Sequence, residues 1–296
     1  MKIVELLNEY LLEMEVKGLS KHTIRGAEET IYQLMKTCDI ENVDEITVIN
    51  IKRFIKIKQE TMKASSINSR LRHFKMLFRF MIDEDYIDIN PMDRIKMVKA
   101  EKKVIKTYST NDIDKILSYY NGKSFMHIRN KTMIMMYIEC GIRSTELRTI
   151  RCEDVYDGSI HILGKGNKIR YVPISLPLKR QLIRYERARK VFMNKPSRYL
   201  KANESEWYFV GKSRNQLHIT IPLAIINKMN IDISVKPTVH HFRRYYAQQM
   251  LKKVDLYTLS RLLGHGSVMV TQKYIEGIED EEIIKSGMNS PLTKRK

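Results

Sequence analysis

Six side chains of this 296-residue chain are of the types that move a phosphoryl group, and they fall in four short strings. In the first, CGIRSTEL (140–147), Gly141 ends an apolar helical run over 133–138, and Arg143 stands at the junction with the next helix, three residues before Glu146. An arginine there can also serve a helix end by bonding its last carbonyls, so alone it says little. In the second, Lys165 lies between Gly164 and Gly166 at a hairpin tip. Such a lysine is commonly just solvated, yet a flexible turn could bring its ammonium to a phosphate oxygen or a leaving hydroxyl. In the third, Thr238 is the expected N-cap of a helix that sets His240 and Arg243 on one face, three residues apart. A ring for proton transfer beside a guanidinium that grips two oxygens suits a phosphoryl site. It equally suits a basic helix end resting on a DNA backbone. In the fourth, LLGHGS (262–267), Gly264 stops a helix, His265 follows in the turn, and Tyr274 comes nine residues later on a short helix.

Together, two arginines, a lysine, two histidines and a tyrosine are compatible with in-line attack of a phenol on a phosphodiester. The ordered strings GIRSTEL, GKGNKIRYVPI, HHFR and LLGHGS, followed by Tyr274, resemble the tyrosine recombinase (phage integrase) family, with the spacing of its compact Xer-type members. Residues 1–98 resemble the family's helical core-binding domain through GLSKHTIRGAEETI and SINSRLRHFKMLFRFMIDEDYIDINPMDRIK, so the likeness covers nearly the whole chain. Two positions depart from the family pattern. The residue after Arg243, commonly histidine, is Arg244, and the usual threonine of the first box is Cys140.

The resemblance implies a site-specific recombinase that cleaves and rejoins DNA through a 3′-phosphotyrosyl intermediate, in integration and excision or in resolution. Its catalytic residues would fall on Arg143, Lys165, His240, Arg243, His265 and Tyr274. A free phenol has a pKa near about 10 and needs a base or a positive field. Arg143 and Arg243 would clamp the non-bridging oxygens, and His240 would assist proton transfer. Lys165 would protonate the departing 5′-hydroxyl, and His265 would donate to the phosphate. No cofactor or metal is expected. The chain shows neither a Walker loop nor an acidic cluster suited to two magnesium ions, which argues against a metal-dependent nuclease or transposase. Two other readings stay open: a transcriptional regulator built on the same fold without strand exchange, and a type IB topoisomerase-like relaxing enzyme. The implied partner is a double-stranded DNA recombination site, held by a homotetramer at the synapse. A free monomer and accessory DNA-bending proteins are open options.

The elements that must position these residues are mostly helical. In residues 1–98, Val4, Leu7, Leu11, Leu12 and Met14 give a first helical stripe, and Ser20 or Thr23 caps a second helix carrying Ile24, Ala27, Ile31 and Leu34. Thr47 starts a third, through Ile51, Phe54 and Ile55. Ser65 or Ser66 starts a fourth, with Ile67, Leu71, Phe74, Phe78, Met81 and Ile82 on one side and Arg72, Lys75 and Arg79 off it. Asn90-Pro91 ends the run. A basic, aperiodic stretch centred on 99–107 reads as a linker, and residues 108–296 as a catalytic domain with a C-terminal tail. That domain opens with a helix capped by Ser109 or Thr110, holds a β-hairpin over 159–174, and resumes helix from Leu178 to Phe192 before a polar loop at 194–206. The fold class is therefore mainly α with a small β-hairpin. The tail beyond Tyr274 has a short apolar face at Ile278, Ile283 and Ile284, suited either to a neighbouring protomer or to its own domain.

Net charge is +19, which points to an anionic polymer as partner, nucleic acid before membrane. Residues 1–98 carry 16 basic and 16 acidic side chains, so the whole excess lies beyond them. Within them, Lys52, Arg53, Lys56, Lys58, Lys63, Arg70, Arg72, Lys75 and Arg79 gather with one acid, Glu60. Lys52, Arg53, Lys56, Arg72, Lys75, Arg79 and, in the second part, Arg244 are the expected DNA contacts. An acid-interrupted N-terminus and the lack of a long apolar run predict a cytoplasmic protein. Cys38, Cys140 and Cys152 predict reduced, mostly buried thiols rather than a disulfide or zinc framework.

Overall fold

The computed structural model describes residues 1–99, 107–164, 168–196 and 205–275, with 273–275 described by backbone alone. The chain divides into two compact units, Met1–Lys103 and Val104–Lys296, and each has its own apolar core. The architecture is mainly α-helical, with one two-stranded antiparallel sheet among the described residues.

The first unit is built from α1 (Ile3–Val16), α2 (Lys21–Cys38), α3 (Val48–Gln59) and α4 (Ala64–Asp83). Ser20 and Thr47 cap α2 and α3, accepting from the amides of Thr23 and Asn50. Two expectations are corrected. In α1, Val4 and Leu12 are 40% and 62% exposed. The buried face is instead Ile3, Leu6, Leu7, Tyr10 and Met14, and it includes the Tyr10 ring packed 5.3 Å from that of Phe80. Helix α4 begins at Ala64 rather than at Ser65 or Ser66, because the amides of Ser66 and Ile67 bond to the Lys63 carbonyl, with no side-chain cap. Its stripe of Ile67, Leu71, Phe74, Phe78 and Met81 is buried as expected and widened by Leu77 and Phe80, while Ile82, expected on the same stripe, is half-buried. Asn90 accepts from the amide of Met92 and caps a 3-10 turn at Pro91–Arg94, several residues after α4 has ended.

The second unit contains α5 (Thr110–Tyr119), α6 (Phe125–Cys140), α7 (Ser144–Thr149), β1 (Ser159–Leu163), β2 (Ile169–Pro173), α8 (Leu176–Asn194), α9 (Ile221–Asn227), α10 (Val239–Leu251), α11 (Leu256–Leu263) and α12 (Val268–Ile275). Helix α6 is its centre. Thr132, Met133, Ile134, Met135, Met136, Tyr137 and Ile138 are all buried, as befits a helix covered on every side, and α8 and α10 pack against it. Ser109 caps α5, and Thr238 caps α10 through the amide of His241. Helix α8 starts two residues before the expected Leu178, because Ser175 accepts from the Leu178 amide. In the hairpin, Ile162 pairs with Arg170 and Ile160 with Val172, and these four side chains are buried.

Cys38 and Cys140 are buried and Cys152 is exposed, and all three are free thiols. Among the described residues no helix is long and apolar enough to cross a membrane, and no group of three or more His, Cys, Asp or Glu could hold a metal ion. Most of the expected linker and 194–206 loop, and the apolar tail face, lie outside the described residues.

Candidate active site

Glu146 is the point from which the site is built. It sits in the first turn of α7 and is 5% exposed. The backbone N–H of Arg143, the residue preceding the helix, donates to its Oε2 at 2.7 Å, and the Arg143 guanidinium to its Oε1 at 2.6 Å. Arg143 is thus fixed at the N-terminus of α7, after Gly141 has closed α6, rather than acting as a C-terminal cap. From β2, Arg170 donates two further bonds to the same carboxylate, at 2.9 and 2.8 Å, and a third from Nε to the Leu262 carbonyl near the end of α11 at 2.9 Å. Burial alone would raise the Glu146 pKa. The bonds and charge of Arg170, then those of Arg143, overcome it and hold the carboxyl at about 2.

Arg243, on α10, is 3% exposed. Its guanidinium donates to the Gly141 carbonyl at the end of α6 at 2.6 Å, to the Leu263 carbonyl at the end of α11, and to Nε2 of His265 at 3.0 Å. Gly141 is required where it stands. Its φ is +57°, and a Cβ there would meet the Tyr246 ring at 2.4 Å. Gly264 is similarly constrained, with φ +64° and the Arg170 side chain 2.9 Å from where a Cβ would be.

His265 is placed by the turn that Gly264 makes. Its Nδ1 lies 2.8 Å from Oγ1 of Thr271, a fully buried residue of α12. Partial burial, then the positive charges of Arg243, Arg143 and Arg170, push its pKa down to about 4, against a smaller opposing pull from Glu146. That value favours the neutral imidazole near neutral pH, and of the three guanidiniums it is Arg243 that contacts the ring. His240 lies in the first turn of α10; partial burial, then His241, Arg244 and Arg243, lower its pKa as well.

Five of the expected residues thus have described backbones within this unit; Arg243 and His265 are in contact, and Arg143 is tied to Arg170 through Glu146. Tyr274 lies on α12, three residues past Thr271, and its side chain is outside the described set. Lys165 is also outside it; the hairpin around it closes with the Gly164 amide on the Lys168 carbonyl. Arg244, expected on DNA, is 3% exposed, and a guanidinium so buried presents no face to a duplex. Lys52, Arg53, Lys56, Arg72, Lys75 and Arg79 are exposed on α3 and α4. The residues that sequence reasoning misses are Arg170 and Thr271. Arg170 can be suspected only as a charged residue inside a strand, and Thr271 shows no signal beyond its nearness to Tyr274.

Solved structures share this fold. A lambda integrase dimer bound to a COC′ core site superposes with a TM-score of 0.73 at 17% identity, over 94% of this chain and 97% of that one. The Tn1549 transposon integrase in complex with transposon right end DNA gives 0.71 at 15%, over 93% and 98%. In sequence, tyrosine recombinase XerD of Rickettsia bellii (strain RML369-C) is 25% identical, over 98% of this chain and 100% of its own length. Tyrosine recombinase XerA of Pyrococcus horikoshii is 27% identical, over 95% of each. Residues 106–280 match the phage integrase family, and the chain belongs to it. It is a Xer-type tyrosine recombinase, an enzyme of site-specific recombination that cleaves and rejoins DNA through a phosphotyrosine intermediate.

Proposed function

We propose that Arg143, Lys165, His240, Arg243 and His265 surround one backbone phosphate while Tyr274 attacks it, leaving a 3′-phosphotyrosyl bond and a free 5′-hydroxyl. The observation that carries this reading is Arg243 bonded to His265 and to the Leu263 carbonyl, with Arg143 joined to the adjacent Leu262 carbonyl through Glu146 and Arg170, in the same unit as the helix that bears Tyr274. Arg143 and Arg243 bind the non-bridging oxygens and stabilise the charge that builds there in the transition state. Arg170, tied up by Glu146 and the Leu262 carbonyl, supports Arg143 from behind. His240 takes the phenolic proton, since burial and its cationic neighbours keep its ring unprotonated. Lys165 returns a proton to the leaving 5′-oxygen. The ester energy stays in the phosphotyrosine, so religation needs no external energy source.

The exposed lysines and arginines of α3 and α4 are the phosphate-binding side chains of the first unit. Strand exchange between two duplexes calls for four protomers at the synapse, in the cytoplasm where the DNA is, with the C-terminal tail docking on a neighbour.

The test is a suicide substrate: DNA from the boundaries of the gene's own locus, nicked so that the cleaved strand cannot be rejoined. Wild-type protein traps a covalent complex and Tyr274→Phe binds without trapping. A specific complex with no covalent product from either would replace this reading with that of a DNA-binding regulator.

A further inference from the structure

We propose that Thr271 is a positioning residue whose hydroxyl sets, and on DNA binding reverses, the tautomer of His265; this rests on the reading of His265 as a donor to the scissile phosphate. The starting point is a conflict in hydrogen-bond roles. Arg243 contacts Nε2 of His265 at 3.0 Å, and a guanidinium can only donate, so Nε2 accepts. The ring is neutral, so its one proton sits on Nδ1, and Nδ1 donates to Oγ1 of Thr271 at 2.8 Å. In this tautomer the nitrogen turned toward Arg243, and therefore toward any phosphate Arg243 grips, offers a lone pair and not a proton.

A hydroxyl resolves the conflict because it both donates and accepts and turns freely about its C–O bond. When a phosphate takes the Arg243 N–H, the Nδ1 proton leaves to water and Nε2 takes up another. The Thr271 hydroxyl then rotates to donate to bare Nδ1, and Nε2–H donates to the phosphate oxygen. One proton is gained from water and one released to it, through a short-lived charged ring, so His265 is neutral before and after the exchange. Thr271 is fully buried, which leaves it little freedom except that rotation. The charges that act on the ring are Arg243 from α10, Arg143 before α7, Arg170 from β2 and Glu146 from α7. Three positive groups against one negative oppose the other route to a donor, protonation to imidazolium.

Valine at 271 keeps the shape and loses the hydroxyl. With no donor to stabilise bare Nδ1, the neutral Nε2–H form loses about one hydrogen bond, and the imidazolium becomes the competing donor as pH falls. The experiment is the pH profile of covalent-complex formation on the nicked locus DNA for wild type, Thr271→Ser and Thr271→Val, together with 15N NMR of the His265 ring without DNA. We expect an Nδ1-protonated ring in the free wild type. We expect wild type and Thr271→Ser to share one profile between about pH 5.5 and 8, and Thr271→Val to be roughly tenfold slower at about pH 7.5, recovering as pH falls. A free ring protonated on Nε2 overturns the proposal. So does a Thr271→Val variant that matches wild type, or that is slowed equally at every pH. Failure of the wild type to trap DNA would count against the recombination chemistry instead, and the NMR result would still decide the tautomer.

Discussion

Arg170 in β2 and Glu146 in α7 are joined by two parallel hydrogen bonds across 24 positions of sequence, both side chains less than a tenth exposed. Such a pair adds little net stability over an apolar replacement of both members, but removing Arg170 leaves the Glu146 carboxylate out of water with Arg143 alone to compensate it. Arg170→Met should therefore lower unfolding stability by about 3 kcal/mol, read from the urea midpoint. The double variant with Glu146→Met should recover part of that loss. A single variant as stable as wild type would show that the pair is not buried in solution.

Acid should weaken the fold in two steps of the same sign. His265 has a folded pKa of about 4 against an ordinary 6.5, so as pH falls below 6.5 the unfolded chain takes up its proton first, and stability drops until about pH 4. Glu146 has a folded pKa of about 2 against 4.5, so its contribution is intact above 4.5 and is lost as pH falls through 2. Urea midpoints measured from about pH 7.5 to about pH 4.5 should fall for wild type and fall less for His265→Gln. Superimposable curves for the two would remove His265 as the cause.

Gly141→Ala should cost about 1–3 kcal/mol, since the left-handed backbone and the Tyr246 ring both oppose a Cβ. The Gly141 carbonyl also holds Arg243, so strand cleavage should slow beyond what lost folding explains. Trapping assays well below the melting temperature separate the two effects.

Replacing exposed Lys52, Arg53 and Lys56 on α3, or Arg72, Lys75 and Arg79 on α4, by glutamine should leave stability within about 0.5 kcal/mol of wild type. DNA affinity should fall, and the slope of log affinity against log salt should shrink by about 0.9 for each phosphate no longer neutralised. An unchanged slope would place the duplex elsewhere.

Much of this is legible in the chain itself, for identifiable reasons. Ser20, Thr47, Ser109 and Thr238 act within three residues of themselves, and so do Gly141 and Gly264; local rules suffice to read them. The phase of α1 is harder because the helix carries apolar residues on two sides, and packing within the unit, against α2 and the Phe80 ring, decides which side is covered. Arg170 escapes for a similar reason. In β2 the large apolar Ile169 and Tyr171 are 58% and 62% exposed, while the charged residue between them turns inward. The carboxylate that makes this tolerable lies far away in sequence, beyond the reach of a strand pattern.

Arg243 is gripped by main-chain oxygens at the carboxyl ends of α6 and α11. Peptide groups are common to every amino acid, so this hold tolerates wide substitution along both helices, provided each terminates at the same place. Lineages that share only a quarter of their residues can keep such an anchor unchanged while nearly everything around it drifts.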